Sequence, residues 1–309
     1  MEKNSAKRIL LIVLCCVLAV ALAAVLVITI VTNHLLDQIQ HPEDTTLSSS
    51  EIEEILNANS VPTTMLPEGD TGTEPTETQS ETQGTEETKS DEVVQILLIG
   101  QMADTAASWN NAEVMILCAV NKTAKTLTMT SFRRDAVAQI PGYGSNKLSV
   151  AYAIGGMKLL DQCLEENYGV MVDANIAVNF EGLIKLVDMV GGIQLQLTAD
   201  EANYLNYYGN WGITSSYGWA LKEGENTLTG PQAMGYVMIK ITDEEAERTQ
   251  RQRNVISALV EQAKKLSVAE LYDLVEEGLP YVSTDMTDSE ILGYIAELAP
   301  LLTELKLVS

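Results

Sequence analysis

SFRRDAVAQIPGYGSNKLSVAYAIGG, residues 131–156, is the stretch on which the fold turns. An apolar, β-branched run feeds into it and stops at Arg133-Arg134-Asp135. A turn follows at Pro141-Gly142-Tyr143-Gly144, and after Lys147 a short apolar helix is closed by Gly155-Gly156. Strand, turn and helix in that order are the building unit of an α/β protein. Bases at the end of a strand, beside glycines that let backbone amides approach closely, have two readings: a charged turn at a sheet edge, or a cradle for phosphate oxygens.

Upstream, residues 93–100 (VVQILLIG), 113–121 (EVMILCAVN) and 125–132 have strand length. Asn121-Lys122-Thr123-Ala124 is short enough to make the last two a hairpin. Downstream, residues 157–168 carry helical periodicity, 174–180 a strand, 181–190 a helix stopped by Gly191-Gly192, and 193–197 an alternating strand. Thr229-Gly230-Pro231 opens a helix through Tyr236. Residues 244–266 make a longer helix, and 266–278 and 287–302 two more. The fold class predicted is α/β: an α-β-α sandwich around a central mixed β-sheet, with an antiparallel pair at its start. Residues 204–219, rich in Tyr, Gly and Trp, read as a long surface loop.

The beginning of the 309-residue chain sets its surroundings. Residues 1–8 form a short tail carrying Lys3, Lys7 and Arg8, and residues 9–32 are uncharged and apolar. At 1.5 Å per residue that run spans about 36 Å, enough for a tilted transmembrane helix, and its basic flank predicts a cytoplasmic N-terminus with the remainder extracellular. Much of the net charge of −24 lies in residues 33–92, which read as a disordered acidic tether rich in Ser, Thr and Glu. Residues 93–309 then form the folded domain, with a helical extension from about 266. The negative balance argues against nucleic acid as a partner. Cys118 and Cys163 read as buried hydrophobes rather than metal ligands. Both histidines, His34 and His41, lie in the tether, which leaves no Ser-His-Asp or Cys-His set.

ERTQRQRNVISALVEQAKKL, residues 247–266, is the second informative stretch. At 100° per residue Arg248, Gln252, Val255 and Leu259 share a stripe with Arg251 beside it, and the apolar half of that stripe must face the core. Guanidinium groups held there need an anion, which protein carboxylates or a bound phosphate would supply equally well.

Several motifs, in order, resemble the LytR-CpsA-Psr family. Arg133-Arg134-Asp135 is similar to its P-R-D, and KLSVAYAIGG (residues 147–156) to its K-[IL]-N-x-A-Y-x-x-G-G. VNFEGLIKLVDMVGGIQLQL (178–197), LTGPQAMGYV (228–237) and the R-x-x-R-Q pattern at Arg248, Arg251 and Gln252 also match. The resemblance implies a membrane-anchored phosphotransferase of Gram-positive envelope assembly. Such an enzyme moves a glycopolymer, a teichoic acid or capsule chain, from an undecaprenyl-pyrophosphate carrier onto peptidoglycan. It further implies catalysis by Arg134, Arg248 and Gln252, and phosphate binding by Arg134, Lys147, Lys240, Arg248 and Arg251. The implied cofactor is magnesium, and Leu183, Leu186, Val187 and Val190 either line a polyprenyl groove or are core. The chain departs from the pattern where Met102 replaces an aspartate, Asn111 an arginine and Glu113 an aspartate, and where Met238 and Lys240 replace two arginines. Glu113 and Asp104 are then the expected metal ligands of a weakened site. The competing expectation is an impaired relative that binds polyprenyl-phosphate lipids as a scaffold or regulator.

Overall fold

Alternation decides which way each strand of the sheet faces. A computed structural model describes residues 47–60, 92–101, 111–208, 219–240, 245–267, 270, 273–274 and 277–308, all within the compact unit Gln40–Ser309. The apolar runs form β1 (Val93–Gln101), β2 (Ala112–Asn121) and β3 (Thr126–Phe132). Leu97, Ile99, Met115 and Leu117 bury themselves on one face of these strands, and Ile116, Cys118, Val120 and Leu127 on the other. A sheet apolar on both faces needs a cover on each. The long helix Leu148–Tyr168 supplies the first through Tyr152, Leu160 and Leu164. The helix Glu245–Ala263 supplies part of the second through Ile256 and Val260. The expected sandwich is therefore present.

In chain order, β3 is followed by the hairpin β4 (Val137–Ile140) and β5 (Gly144–Lys147), then β6 (Ala174–Asn179), β7 (Ile193–Leu197), β8 (Gly224–Leu228), β9 (Val282–Thr284) and β10 (Lys306–Val308). The helices are α1 (Ser49–Ala58), α2 (Leu148–Tyr168), α3 (Phe180–Met189), α4 (Ala199–Tyr208), α5 (Gly230–Val237), α6 (Glu245–Ala263) and α7 (Asp288–Leu298). The main sheet runs β10-β3-β2-β1-β6-β9. It is mixed: β1–β6 and β3–β10 are parallel, the other pairs antiparallel. A second core gathers α3, α5, β7, β8 and Val255 of α6.

Two glycines are required by geometry. Gly156 breaks α2 with φ 61°, where a Cβ would be strained, so the apolar helix does end at Gly155-Gly156 before a second begins. A Cβ on Gly230 would stand 2.1 Å from the Ile184 carbonyl oxygen, so only glycine lets α5 start against α3.

Four expectations need correction or fall outside the described residues. First, the stretch expected to be disordered contains α1. Ser48 opens it, its backbone N–H donating to Glu51 Oε2 at 2.8 Å, and Ile52, Ile55 and Leu56 pack on the α2 side of the core. Ser48 three residues before Glu51 is a capping box, and apolar residues at 52, 55 and 56 follow helical spacing, a short signal inside a polar composition. Second, the helical extension also supplies strands. β9 and β10 complete the two edges of the sheet, and three-residue strands are too short to alternate visibly. Third, residues 204–208 of the expected loop are the last turns of α4, which Thr198 and Glu201 cap reciprocally at 3.0 and 3.2 Å. Fourth, residues 9–32 lie outside the described residues. Among those described, no helix is long and apolar enough to cross a membrane.

The edge strand β9 is tied in by a polar knot. The buried Asn175 amide nitrogen donates to Asp161 Oδ2 of α2 and to Asp285 Oδ2, each at 2.8 Å, and its backbone N–H donates to Asp285 Oδ1 at 2.9 Å. Asp161 Oδ1 and Asn175 Oδ1 are left without partners. Cys118 and Cys163 are free thiols buried on opposite faces of the sheet.

Candidate anion-binding site

The site is assembled where β1 and β6 end and β2 begins. Gln101, the last residue of β1, pairs with Ala112 on one side and Asn179 on the other. The register slips there, Gly100 pairing with Val114 and Gln101 with Ala112, so Glu113 is the extra residue of a β-bulge. A bulge re-aims a side chain out of the alternation. Here it brings the Glu113 carboxylate to the end of β3, where Arg134 waits. Arg134 is held by its own backbone, since its carbonyl accepts the Ser149 N–H at 3.1 Å and the Ala136 carbonyl accepts Leu148 N–H at 2.8 Å. The first turn of α2 thereby fixes the strand end that carries the arginine.

Two arginines meet on one oxygen. Arg134 Nη1 donates to Glu113 Oε2, and Arg248 Nη2 from the opposite cover helix donates to the same atom at 3.3 Å. The cluster is half-closed: 16% of the Glu113 side chain, 30% of Arg134 and 13% of Arg248 are exposed. Arg134 Nε also reaches Asp135 Oδ2 at 3.3 Å, and Lys147 Nζ reaches Asp135 Oδ1 at 3.1 Å. Burial pushes the Asp135 carboxyl up, but the hydrogen bond and charge of Lys147, with those of Arg134, outweigh it and hold it below the usual range. Three bases and two carboxylates thus form one continuous patch.

The remaining predicted residues fall into two groups. Arg251 and Gln252 are buried as the helical stripe requires, with Val255 beneath them. Arg251 is committed to the protein, donating to the Ile239 carbonyl at 3.1 Å and lying 3.6 Å from Glu201 and 3.7 Å from Glu247. Its role as placed is to fasten α6 to the end of α5, although its Nε has no acceptor among the described residues. Lys240 is exposed just past α5. Val187 and Val190 are core residues with Leu183 packed against them in the second core, while Leu186 is half-buried. Arg253, on the other side of the helix from Arg248, bonds Ser131 Oγ at 2.7 Å and stays off the Glu113 cluster.

Of the two expected metal ligands, Asp104 lies outside the described residues and Glu113 is shared between guanidinium groups. Among the described residues no group of three acidic, histidine or cysteine side chains could hold an ion. The donors in view therefore do not make a metal centre by themselves. What sequence reasoning missed is Glu113 as the common partner of both arginines, because a bulge leaves no periodic trace. It also missed Gln101, fully buried, whose Oε1 accepts the Tyr152 hydroxyl at 3.0 Å while Nε2 has no acceptor among the described residues.

Comparison with known proteins agrees with this architecture. The LytR_cpsA_psr family model matches residues 63–303. The polyisoprenyl-teichoic acid–peptidoglycan teichoic acid transferase TagT of Bacillus subtilis (strain 168) is 30% identical over 210 residues, 68% of this chain and 61% of that protein. The chain thus spans less than two thirds of TagT's length. The solved structure of TagT bound to LIIa-WTA superposes with a TM-score of 0.58 at 27% identity, covering 71% of this chain and 77% of that one. The family protein YwtF (TagT) with bound octaprenyl pyrophosphate lipid gives 0.53 at 26% identity, covering 71% and 76%. With motif order, mixed sheet and family match in agreement, the chain belongs to the LytR-CpsA-Psr family.

Proposed function

We propose that this protein is a membrane-anchored phosphotransferase that takes a glycopolymer from a polyprenyl-pyrophosphate carrier and joins it to peptidoglycan. The observation that supports this reading is the convergence of Arg134, just past the end of β3, and Arg248, on the covering helix α6, on a single oxygen. An oxyanion in that position is what a bound pyrophosphate would present, and guanidinium pairs suit phosphate geometry. Glu113 then acts as a stand-in anion that the substrate displaces. Attack by a sugar hydroxyl on the polymer-side phosphorus makes the new P–O bond and breaks the bridging one, with polyprenyl phosphate leaving. Arg134 and Arg248 neutralise charge that grows on the phosphoryl oxygens, which is where most of the acceleration in such transfers arises. The attacking hydroxyl's proton needs a base, and Glu113, once released from the arginines, is the carboxylate that both of them hold. Magnesium held chiefly by the pyrophosphate's own oxygens would add to the neutralisation.

The relatives' names support the chemistry: TagT is a teichoic acid transferase, and a family structure holds octaprenyl pyrophosphate. The departures at Met102, Asn111, Met238 and Lys240 favour a second reading, a lipid-binding scaffold without turnover. A transfer assay across a magnesium titration separates the two, with Met102→Asp and Asn111→Arg tested singly and together. Residual wild-type turnover that rises on restoration supports the transferase. Lipid binding without turnover at any magnesium concentration supports the scaffold.

A further inference from the structure

The helix that carries Arg248 continues past the arginine patch and forms one wall of a groove. A cavity of about 410 Å³ lies between α6 and β7, lined by Gln194, Leu195, Gln196, Asn254, Ser257, Ala258, Glu261, Gln262 and Lys265. That volume falls within the range of small-ligand sites, roughly 300–1,000 Å³. Its chemistry differs from that of the anion patch. Gln194, Gln196, Asn254 and Gln262 contribute amides, Ser257 a hydroxyl, and Leu195 and Ala258 an aliphatic floor. The two charged side chains, Glu261 and Lys265, are of opposite sign, so the groove has no net charge to offer a polyanion.

The alternation of β7 explains the lining. Ile193, Leu195 and Leu197 point into the second core, which forces Gln194 and Gln196 outward. Several groups in the groove are already engaged. Asn254 donates to the Tyr236 hydroxyl at 3.2 Å and accepts from Gln250 at 2.9 Å, while Gln262 donates to the Val190 carbonyl at 3.1 Å and accepts from Lys265 at 3.1 Å. These bonds fix the wall. The exposed Gln194 and Gln196 amides and the Ser257 hydroxyl have no hydrogen-bond partner among the described residues, and all three line the groove. Paired donors and acceptors on a neutral, partly apolar floor match a saccharide bearing hydroxyl and acetamido groups.

Position links the groove to the reaction. Asn254 is six residues beyond Arg248, about 9 Å along α6 and about 120° round it, and Lys265 lies about 16 Å farther. A short oligosaccharide lying along α6 therefore has its nearer end within two turns of helix from Arg248, on a neighbouring face.

We propose that the α6–β7 groove binds a neutral amino-sugar glycan, the acceptor strand, and holds it within two turns of α6 from Arg248. This deepens the transferase reading and rests on it. The test uses the full chain in detergent micelles, titrated by calorimetry with an N-acetylglucosamine tetramer, a glycerol-phosphate oligomer and a free stem peptide. Octaprenyl pyrophosphate binding is measured in parallel. Wild type should bind the tetramer, and Gln194→Ala with Gln196→Ala should weaken it about tenfold. Ser257→Trp, which fills the groove, should abolish tetramer binding and leave octaprenyl pyrophosphate affinity unchanged. Tetramer affinity equal in wild type and both variants overturns the proposal. So does tighter binding of the glycerol-phosphate oligomer or the peptide than of the tetramer, or no tetramer binding up to about 10 mM while the lipid still binds. Loss of lipid binding in wild type instead counts against the transferase reading itself.

Discussion

At the scale of single residues, Glu113 makes the site testable without any assay of turnover. Its carboxylate is the internal partner of Arg134 and Arg248, so any external anion competes with it. Glu113→Gln should bind inorganic pyrophosphate more tightly than wild type, and the free protein should lose about 1–3 kcal/mol because two half-buried guanidiniums lose their counter-charge. Unchanged stability with unchanged affinity would remove Glu113 from the role of stand-in. Arg248→Ala should weaken octaprenyl pyrophosphate binding about 10–100-fold, the worth of one or two charge-assisted hydrogen bonds. Arg253→Ala, which bonds Ser131 and points elsewhere, should change it less than about twofold. Equal losses in an equilibrium binding measurement would reverse that assignment. Helical spacing alone separated these two arginines and buried Gln252 and Val255. It could not show that Arg251 would be spent on Ile239, Glu201 and Glu247, since those partners come from other elements.

Among the elements, the knot that fastens β9 to α2 carries its own pH signature. Burial, reinforced by the charge of Asp285 and partly offset by the hydrogen bond from Asn175, pushes Asp161 up to about 7. The two atoms without partners there, Asp161 Oδ1 and Asn175 Oδ1, are both acceptors, and one proton on Asp161 supplies the knot with the donor it lacks. The folded state therefore holds this proton more strongly than the unfolded chain, whose aspartate titrates near about 4. The contribution is complete below about pH 4, declines as pH rises, and is gone above about pH 7. Asp161→Asn keeps a donor in place and should flatten the decline of stability over that window, read by urea unfolding at several pH values. A decline of equal slope in the variant would show that another group is responsible. Longer elements were legible in the sequence because β1, β2 and β7 each bury a run or alternation of apolar residues. β9, β10 and this knot were not, because three-residue strands and a single Asp-Asn-Asp contact leave no repeating pattern.

For the molecule as a whole, the proposed topology has a direct check. Protease added to intact protoplasts should remove the Gln40–Ser309 unit from the cell, and full protection of that unit would overturn an external location. The composition that predicted one long acidic leash concealed α1, whose three apolar residues dock on the same core that β1 enters. Detaching it with Leu56→Asp should cost about 1–2 kcal/mol of lost apolar burial, seen as faster hydrogen exchange over residues 49–58 with the sheet unaffected.

That docked helix also changes what the acidic stretch can do. α1 ends at Ala58 and β1 begins at Val93 in the same compact unit, so the length of chain between them adds nothing to how far the domain can stand from an anchor that precedes α1. If the anchor is at residues 9–32, as proposed, the residues before Ser48 set that distance, at most about 50 Å of extended chain instead of about 200 Å for residues 33–92. Inserting twenty Gly-Ser residues into the loop should leave attachment of polymer to the wall unchanged, whereas the same insertion before Ser48 should shift it to more distant layers. Halving the loop should tighten α1 by only about 0.6 kcal/mol, the logarithmic return on a shorter closure. Under the proposed anchoring, the reach of the domain is then set by a short segment and not by the longest acidic run.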